Sequence, residues 1–276
     1  MKQRVANYRA SKNDLRSWFF GGVGRYLSHY ADGRSQRQQA GVDYRARLTE
    51  KKWLNYGCGY DKRPEYLNVD MDPACQPDVL VNLAVLDDFP TGHYERILAK
   101  DVLEHVPRLR SLEVLLRFSD WMVEGGKLEL QTTSILGVAD RIRKYPGFGS
   151  EHGMTQCLFG SQMHPGDFHY TGFTETTLRV MLSAAGFTAG KFELVDEWMF
   201  HFEAVKTSSW YRWENGPASD QDFVREVFQA ALDRPAQEQD VTAWGDVVAR
   251  LGRRRAALDL FACPERMHAV AKRLGA

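Results

Sequence analysis

The chain has 276 residues, 43% of them hydrophobic, with 36 basic and 36 acidic side chains. That length buries one sizeable core plus appendages, and the even charge balance argues against a protein that holds nucleic acid by non-specific attraction. No run approaches the ~20 apolar residues of a membrane span, and the start lacks the apolar stretch of a secretory signal.

In chain order, the first segment is a basic, aromatic arm over residues 1–49. Residues 1–47 carry ten basic and three acidic side chains, with Leu15, Trp18, Phe19, Phe20, Tyr26, Leu27 and Tyr30 set among Arg16 and Arg25. Such an arm either makes peripheral contact with a membrane surface or caps a site in the domain that follows. Gly21, Gly22 and Gly24 interrupt any single amphipathic helix, which favours the cap. The next landmarks are strand-like. LNYGCG (54–59) reads as a buried parallel strand opening into a glycine turn, and Tyr66, Leu67 and Val69 read as the next strand, ending at Asp70. Ligands of open α/β sheets bind outside the carboxyl ends of strands, and a carboxylate there accepts hydrogen bonds from ribose hydroxyls. The pair reads as a nucleoside site. A dinucleotide fold is disfavoured, because no third glycine follows and Asp70 comes only eleven residues after Gly59. The connection DKRPE has room for about one helical turn.

Further strands are expected at 79–81, 96–99 and within EGGKLELQT (124–132), with VLEHV (102–106) entering a helix. Phe159–Thr174 is a polar, glycine-rich loop carrying Gln162, His164, Asp167, His169 and Tyr170, and Thr174 is placed to cap a helix over about 175–185. Beyond residue 207 a helical extension runs to 276. Ser219 is its first cap, Phe223, Val227, Phe228, Ala231 and Leu232 form one face, and Pro235 ends that helix. Helices follow at about 241–251 and 254–260 and after Pro264, and the run Arg253, Arg254, Arg255 reads as a solvated face. Cys58, Cys75, Cys157 and Cys263 are scattered without metal-ligand spacing, so no metal site is expected and a cytoplasmic setting fits.

Taken together, LNYGCG, NVD (68–70), PDVLVNL (77–83), ERILAKDVLEHV (95–106), DFHYTGFT (167–174) and AAGF (184–187) resemble, in order, the motifs of class I S-adenosylmethionine-dependent methyltransferases. The closer similarity is to a compact bacterial group with LNxGCG and NVD motifs, often associated with surface polysaccharide assembly. The resemblance spans about 50–206. It implies an α/β, Rossmann-like sheet of seven strands with the last antiparallel, and the basic N-terminal arm and the helical C-terminal extension are expected to frame the acceptor cleft. It implies S-adenosyl-L-methionine as cofactor, held by the backbone of Gly57, Cys58 and Gly59, by Asp70 at the ribose, by Asn82 and Leu83 at the adenine, and by Asp101 opposite the sulfonium. Tyr56 serves either the cofactor or the core, and Met71 either covers adenine or fills a gap. His105 and His169 are the candidate bases, with Asp101 beside the reaction centre. For Glu104 the bland reading is a charge at a helix start. The leading expectation is O-methylation of a saccharide or another hydroxyl-bearing small acceptor, with no nucleic-acid substrate. The alternative is a non-catalytic S-adenosylmethionine-binding scaffold in a glycan-assembly complex, and aminopropyl transfer on the same fold ranks below both.

Overall fold

The computed structural model describes residues 44–81, 89–163, 165–213 and 216–276. Most of the expected arm, as well as Asn82, Leu83 and His164, lies outside the described residues. Eight strands are described: β1 (Trp53–Tyr56), β2 (Leu67–Asp70), β3 (Val79–Leu80), β4 (Tyr94–Lys100), β5 (Met122–Thr133), β6 (Phe187–Ala189), β7 (Glu193–Val195) and β8 (Met199–Lys206). They form one sheet in the order β3-β2-β1-β4-β5-β8-β6, with β7 also on β8. β1 to β5 pair in parallel, and β8 runs antiparallel to its neighbours. The eighth strand does not widen the sheet. β6 pairs Ala189 with Ala204 and β7 pairs Glu193 with His201, so the two form one edge strand with a one-residue slip at 190–192. The seven-position sheet with an antiparallel strand is the expected one.

Strand alternation gives the sheet two unlike faces. Leu54, Ile97, Ala99, Leu128, Leu130, Phe202 and Ala204 are each at most 2% exposed, and their registers stack them on one side. Helix α1 (Ser111–Trp121) packs there on β5. Among the described residues, three more α-helices follow it before the extension: α2 (Ile135–Lys144), α3 (Phe148–Phe159) and α4 (Glu175–Ala184), which packs on β6 and on α1. Thr174 caps α4 as expected, in a reciprocal bond with Thr177. The opposite side carries Arg96, Lys127, Glu129, His201 and Glu203. Arg96 meets Glu203 at 2.9 Å and lies over the Trp53 ring, and His201 meets Glu129 at 3.1 Å. The DKRPE connection forms turns without a helix, and β2 to β3 passes through the short turn Pro73–Cys75.

The extension comprises α5 (Asp220–Leu232), α6 (Glu238–Leu251), α7 (Arg253–Phe261) and α8 (Pro264–Leu274). Ser219 caps α5, and the face predicted for it is buried. The helices join the apolar cluster of the sheet. α7 packs on α1 and α8 on α4, and the Trp210 indole donates to the Leu116 carbonyl at 3.0 Å. Two expectations are corrected here. The extension is anchored on α1, α4 and the start of β5 rather than framing an acceptor cleft at the strand ends. The arginine run is no solvated face: Arg253 pairs with Asp220 at 2.8 Å, Arg254 with Asp120 at 3.0 Å and Arg255 with Glu113 at 3.4 Å. Arg266 is buried and donates to the carbonyls of Ala230, Ala231 and Ala184, closing the ends of α5 and α4 with one cation. At the other end of the chain, Leu48 is fully buried and its carbonyl accepts from the Tyr94 hydroxyl at 2.6 Å. Among the described residues, no helix is long and apolar enough to cross a membrane.

Candidate active site

β2, β1, β4 and β5 lie side by side and parallel, so their carboxyl ends form one rim. The order reverses between β1 and β4, where such sheets open a crevice. At β1 the chain turns through Gly57 (φ +68°) and Gly59 (φ +48°), a conformation that side chains other than glycine rarely adopt. A Cβ at Gly59 would touch nothing within 4 Å, so the space before the turn is open. The amides of Gly57 and Cys58 donate to the Val69 carbonyl at 2.9 and 3.0 Å. The Asp70 carboxylate, 8% exposed, accepts from the Gly59 amide at 2.8 Å and the Asp72 amide at 2.9 Å. A carboxylate offers about four acceptor sites. Two are used in shaping the turn, which leaves acceptor capacity for a diol.

Two buried asparagines support this turn and were not foreseen. Asn55 Nδ2 donates to the Asp61 carbonyl and to Asn68 Oδ1, and Asn68 also takes the Arg63 amide and donates to Asp78. A polar residue inside each of two buried strands was the available signal. Tyr56 is resolved as a core side chain, 1% exposed, its ring against Phe118, Trp121 and Phe89. Cys58 is buried, and burial together with Asp70 pushes its thiol up to about 12, so it stays protonated and donates to the Gly59 carbonyl at 3.4 Å. Met71 is 44% exposed beside Asp70, with one face open at the rim.

At the end of β4, Asp101 adopts φ +51° and its carboxylate accepts from Gln131 Nε2 at 3.3 Å. Its tip reaches solvent, yet the concave rim desolvates the carboxyl and raises it, against the pull of Gln131, His169 and Lys100. The next turn, Leu103–His105, brings His105 to His169 with ring centroids 4.6 Å apart, edge to face. The two candidate bases thus share one place, although 64 residues separate them. His105 Nδ1 lies 3.2 Å from the Phe168 carbonyl, and His169 Nδ1 lies 3.0 Å from the Cys157 carbonyl. Carbonyl oxygens only accept, so each Nδ1 carries the proton and each Nε2 carries the basic lone pair of the neutral ring. The loop that presents His169 depends on Gly160 (φ +75°), where a Cβ would collide with the Asp167 carbonyl oxygen.

Glu104 was read as a charge at a helix start, but it is 1% exposed. Its carboxylate accepts from Thr132 Oγ1 at 2.8 Å and Thr133 Oγ1 at 3.4 Å. Burial, helped by the Asp101 charge, raises it to about 7 against hydrogen bonds from its own amide and from Thr132 and Thr133. Among the described residues, no group of three or more His, Cys, Asp or Glu side chains is placed to hold a metal ion. A cleft of about 590 Å³ lies at the far, amino end of β5, lined by Asp120, Glu124, Lys206 and Arg254 among others, away from this rim.

A family described as Methyltransferase domain matches residues 21–190, more than half of the chain and beginning inside the arm. No curated protein matches. Solved structures similar to the chain include a possible exported protein from Bordetella parapertussis, 14% identical with TM-score 0.41, covering 60% of this chain and 66% of that one. Another is 1,6-didemethyltoxoflavin-N1-methyltransferase from Burkholderia thailandensis with bound S-adenosylhomocysteine, 16% identical with TM-score 0.41, covering 69% of this chain and 89% of that one. A third is a putative S-adenosylmethionine dependent methyltransferase from Listeria monocytogenes, 14% identical with TM-score 0.40, covering 64% and 100%.

Proposed function

The chain belongs to this family of methyltransferase domains, is an S-adenosylmethionine-dependent methyltransferase, and from that premise we propose that it methylates a hydroxyl oxygen of a small acceptor, a saccharide first among them. The observation that carries the reading is the meeting of His105 and His169, both with Nδ1 committed to a carbonyl. A hydroxyl needs a base near neutral pKa as it becomes a nucleophile, and a neutral imidazole Nε2 serves. The surroundings of the pair are polar: Gln131 donates to Asp101, and the loop that carries His169 holds Ser161, Gln162, Asp167 and Tyr170, side chains of a kind suited to a polyol.

The residues fit the cofactor the family uses. The open space before Gly59 admits its methionine end, and the remaining lone pairs of the buried Asp70 carboxylate suit its ribose hydroxyls. Met71 offers an apolar face beside them, and Asn82 and Leu83 remain proposals at the adenine. Bound S-adenosylmethionine supplies a methyl group on a positively charged sulfur. Asp101, at the end of β4, sets the polar wall facing that position. One histidine Nε2 takes the hydroxyl proton while the loop residues beside His169 orient the acceptor. A cytoplasmic site of action and the division into arm (1–49), core (50–206) and extension (207–276) are part of the same proposal.

Calorimetric titration with S-adenosylmethionine and its demethylated product, followed by methyl-transfer assays on nucleotide sugars and glycans, tests the proposal. Asp70→Ala should weaken cofactor binding about tenfold to a hundredfold, the loss of charged hydrogen bonds worth ~1.5–3 kcal/mol. His105→Ala and His169→Ala together should lower turnover about 10²–10⁴-fold with cofactor affinity retained. Unchanged turnover in the double variant removes the histidines as bases. Binding without turnover on any hydroxyl acceptor would put the scaffold reading first.

A further inference from the structure

The histidine pair does not hold itself in place. His105 sits on a single 3₁₀ turn, and His169 sits on the loop between α3 and α4, just after the short turn Pro165–Asp167. Both are tied to the same neighbour. The backbone carbonyl of Glu104 accepts from the amides of Tyr170 at 2.7 Å and Thr171 at 3.2 Å, so the residue beside His105 clamps the residues that follow His169. The carboxyl of Glu104 is in turn fixed to β5 through Thr132 Oγ1 and Thr133 Oγ1. Thr133 has one hydroxyl proton and two acceptors within reach, Glu104 Oε1 at 3.4 Å and the Cys157 carbonyl at 3.2 Å. The Cys157 carbonyl is also the acceptor for His169 Nδ1. An ionised Glu104 draws the Thr133 proton to itself. A neutral Glu104 can donate to Thr133 Oγ1 and release that proton to Cys157, where it shares the oxygen with His169.

We propose that Glu104 is a positioning residue for the histidine pair, joining His105 and His169 to the rigid end of β5 through its carbonyl, Thr132 and Thr133. This rests on the reading of the pair as the acceptor-side base. The charged group that acts on Glu104 is Asp101 on the same rim; His105 is its chain neighbour, and His169 is reached through Thr133 and the Cys157 carbonyl. The Asp101 charge and the burial of Glu104 both favour its neutral form near pH 7.

The test uses the full chain with nitrogen-15-labelled histidine. Long-range proton–nitrogen spectra report the tautomer and titration midpoint of each ring in the wild type and in Glu104→Gln, Glu104→Ala and Thr133→Val. Wild-type His169 should show the Nδ1-protonated tautomer and a second inflection as Glu104 titrates. Glu104→Gln should abolish that inflection while keeping the tautomer, because an amide still bonds both threonines. Glu104→Ala should give mixed tautomers in both rings and lower kcat at least tenfold with little change in KM for the cofactor, with Gln restoring most of it. Thr133→Val removes the hydroxyl without opening a void, so it reports even where Glu104→Ala fails to fold. It should perturb His169 more than His105. Histidine spectra unchanged in folded Glu104→Ala and Thr133→Val overturn the proposal. Perturbed spectra alongside normal turnover in the double histidine variant would leave the positioning intact and remove the pair from the chemistry.

Discussion

The two faces of the sheet make an instructive contrast. On one, Leu54, Ile97, Leu128, Leu130 and Phe202 are sealed beneath α1 and α4, and the four helices of the extension add a second apolar layer outside them. α1 illustrates the result, since all eleven of its residues are buried. On the other, Arg96, Lys127, Glu129, His201 and Glu203 neutralise one another across neighbouring strands. Parallel sheets usually need cover on both sides. Here α1 and α4 lie on one side, with α7 and α8 packed on them, and cross-strand ion pairs furnish the other. Stability should therefore reside on the helical face, and the ionic face should tolerate change.

Substitutions can break this contrast, and the largest effect belongs to the sealed face. Phe202→Ala removes a ring stacked on Phe192 at 4.1 Å and should cost about 3–5 kcal/mol in denaturant unfolding. Arg266→Ala uncouples the ends of α4 and α5 and should cost about 3 kcal/mol, with S-adenosylmethionine affinity unchanged in calorimetry. Loss of cofactor affinity there would mean that the extension reaches the rim. Glu104 supplies a pH signature. Its folded value of about 7 lies above the reference 4.5, so the folded protein binds the extra proton between them. Stability from this group is full below about pH 4.5 and lost as pH rises through 7, by at most about 3 kcal/mol. Glu104→Gln should flatten that slope in melting curves taken from pH 5 to 8. The smallest effect belongs to the ionic face. Glu203→Ala breaks exposed pairs with Arg96 and Lys127 and should cost less than about 1 kcal/mol. A cost above about 2 kcal/mol would show that this face is a covered interior.

Much of this was legible in the residues. KLELQ and HFEAV alternate with period two, and that alternation is the two-faced sheet. The glycine turn, Asp70 and the capped helices after Thr174 and Ser219 were equally plain, because caps and tight turns are local chemistry. What escaped has physical reasons. α3 (FGSEHGMTQCLF) holds two glycines and buries no residue, so no apolar period marks it. The partners of Arg253, Arg254 and Arg255 lie on α5 and α1, up to 142 residues away, beyond any local pattern. Glu104 looked like a helix-start charge because its threonine partners sit on a strand that is adjacent only after folding. In the site, the convergence of His105 and His169 could be suspected from motif order, whereas their shared Nδ1 anchoring required the loop's path.

The slip at 190–192 has a consequence for how copies of this protein meet. An open sheet has two edges, and an unbroken edge strand invites a neighbouring chain to extend it. Here one edge is β3, two residues long, and the other is interrupted between β6 and β7, where Gly190 and Lys191 replace regular pairing. Among the described residues, neither offers a straight ladder of free backbone groups. Aggregation by strand addition is thereby discouraged at both ends of the sheet, and any oligomer this enzyme forms should be built from its helices instead.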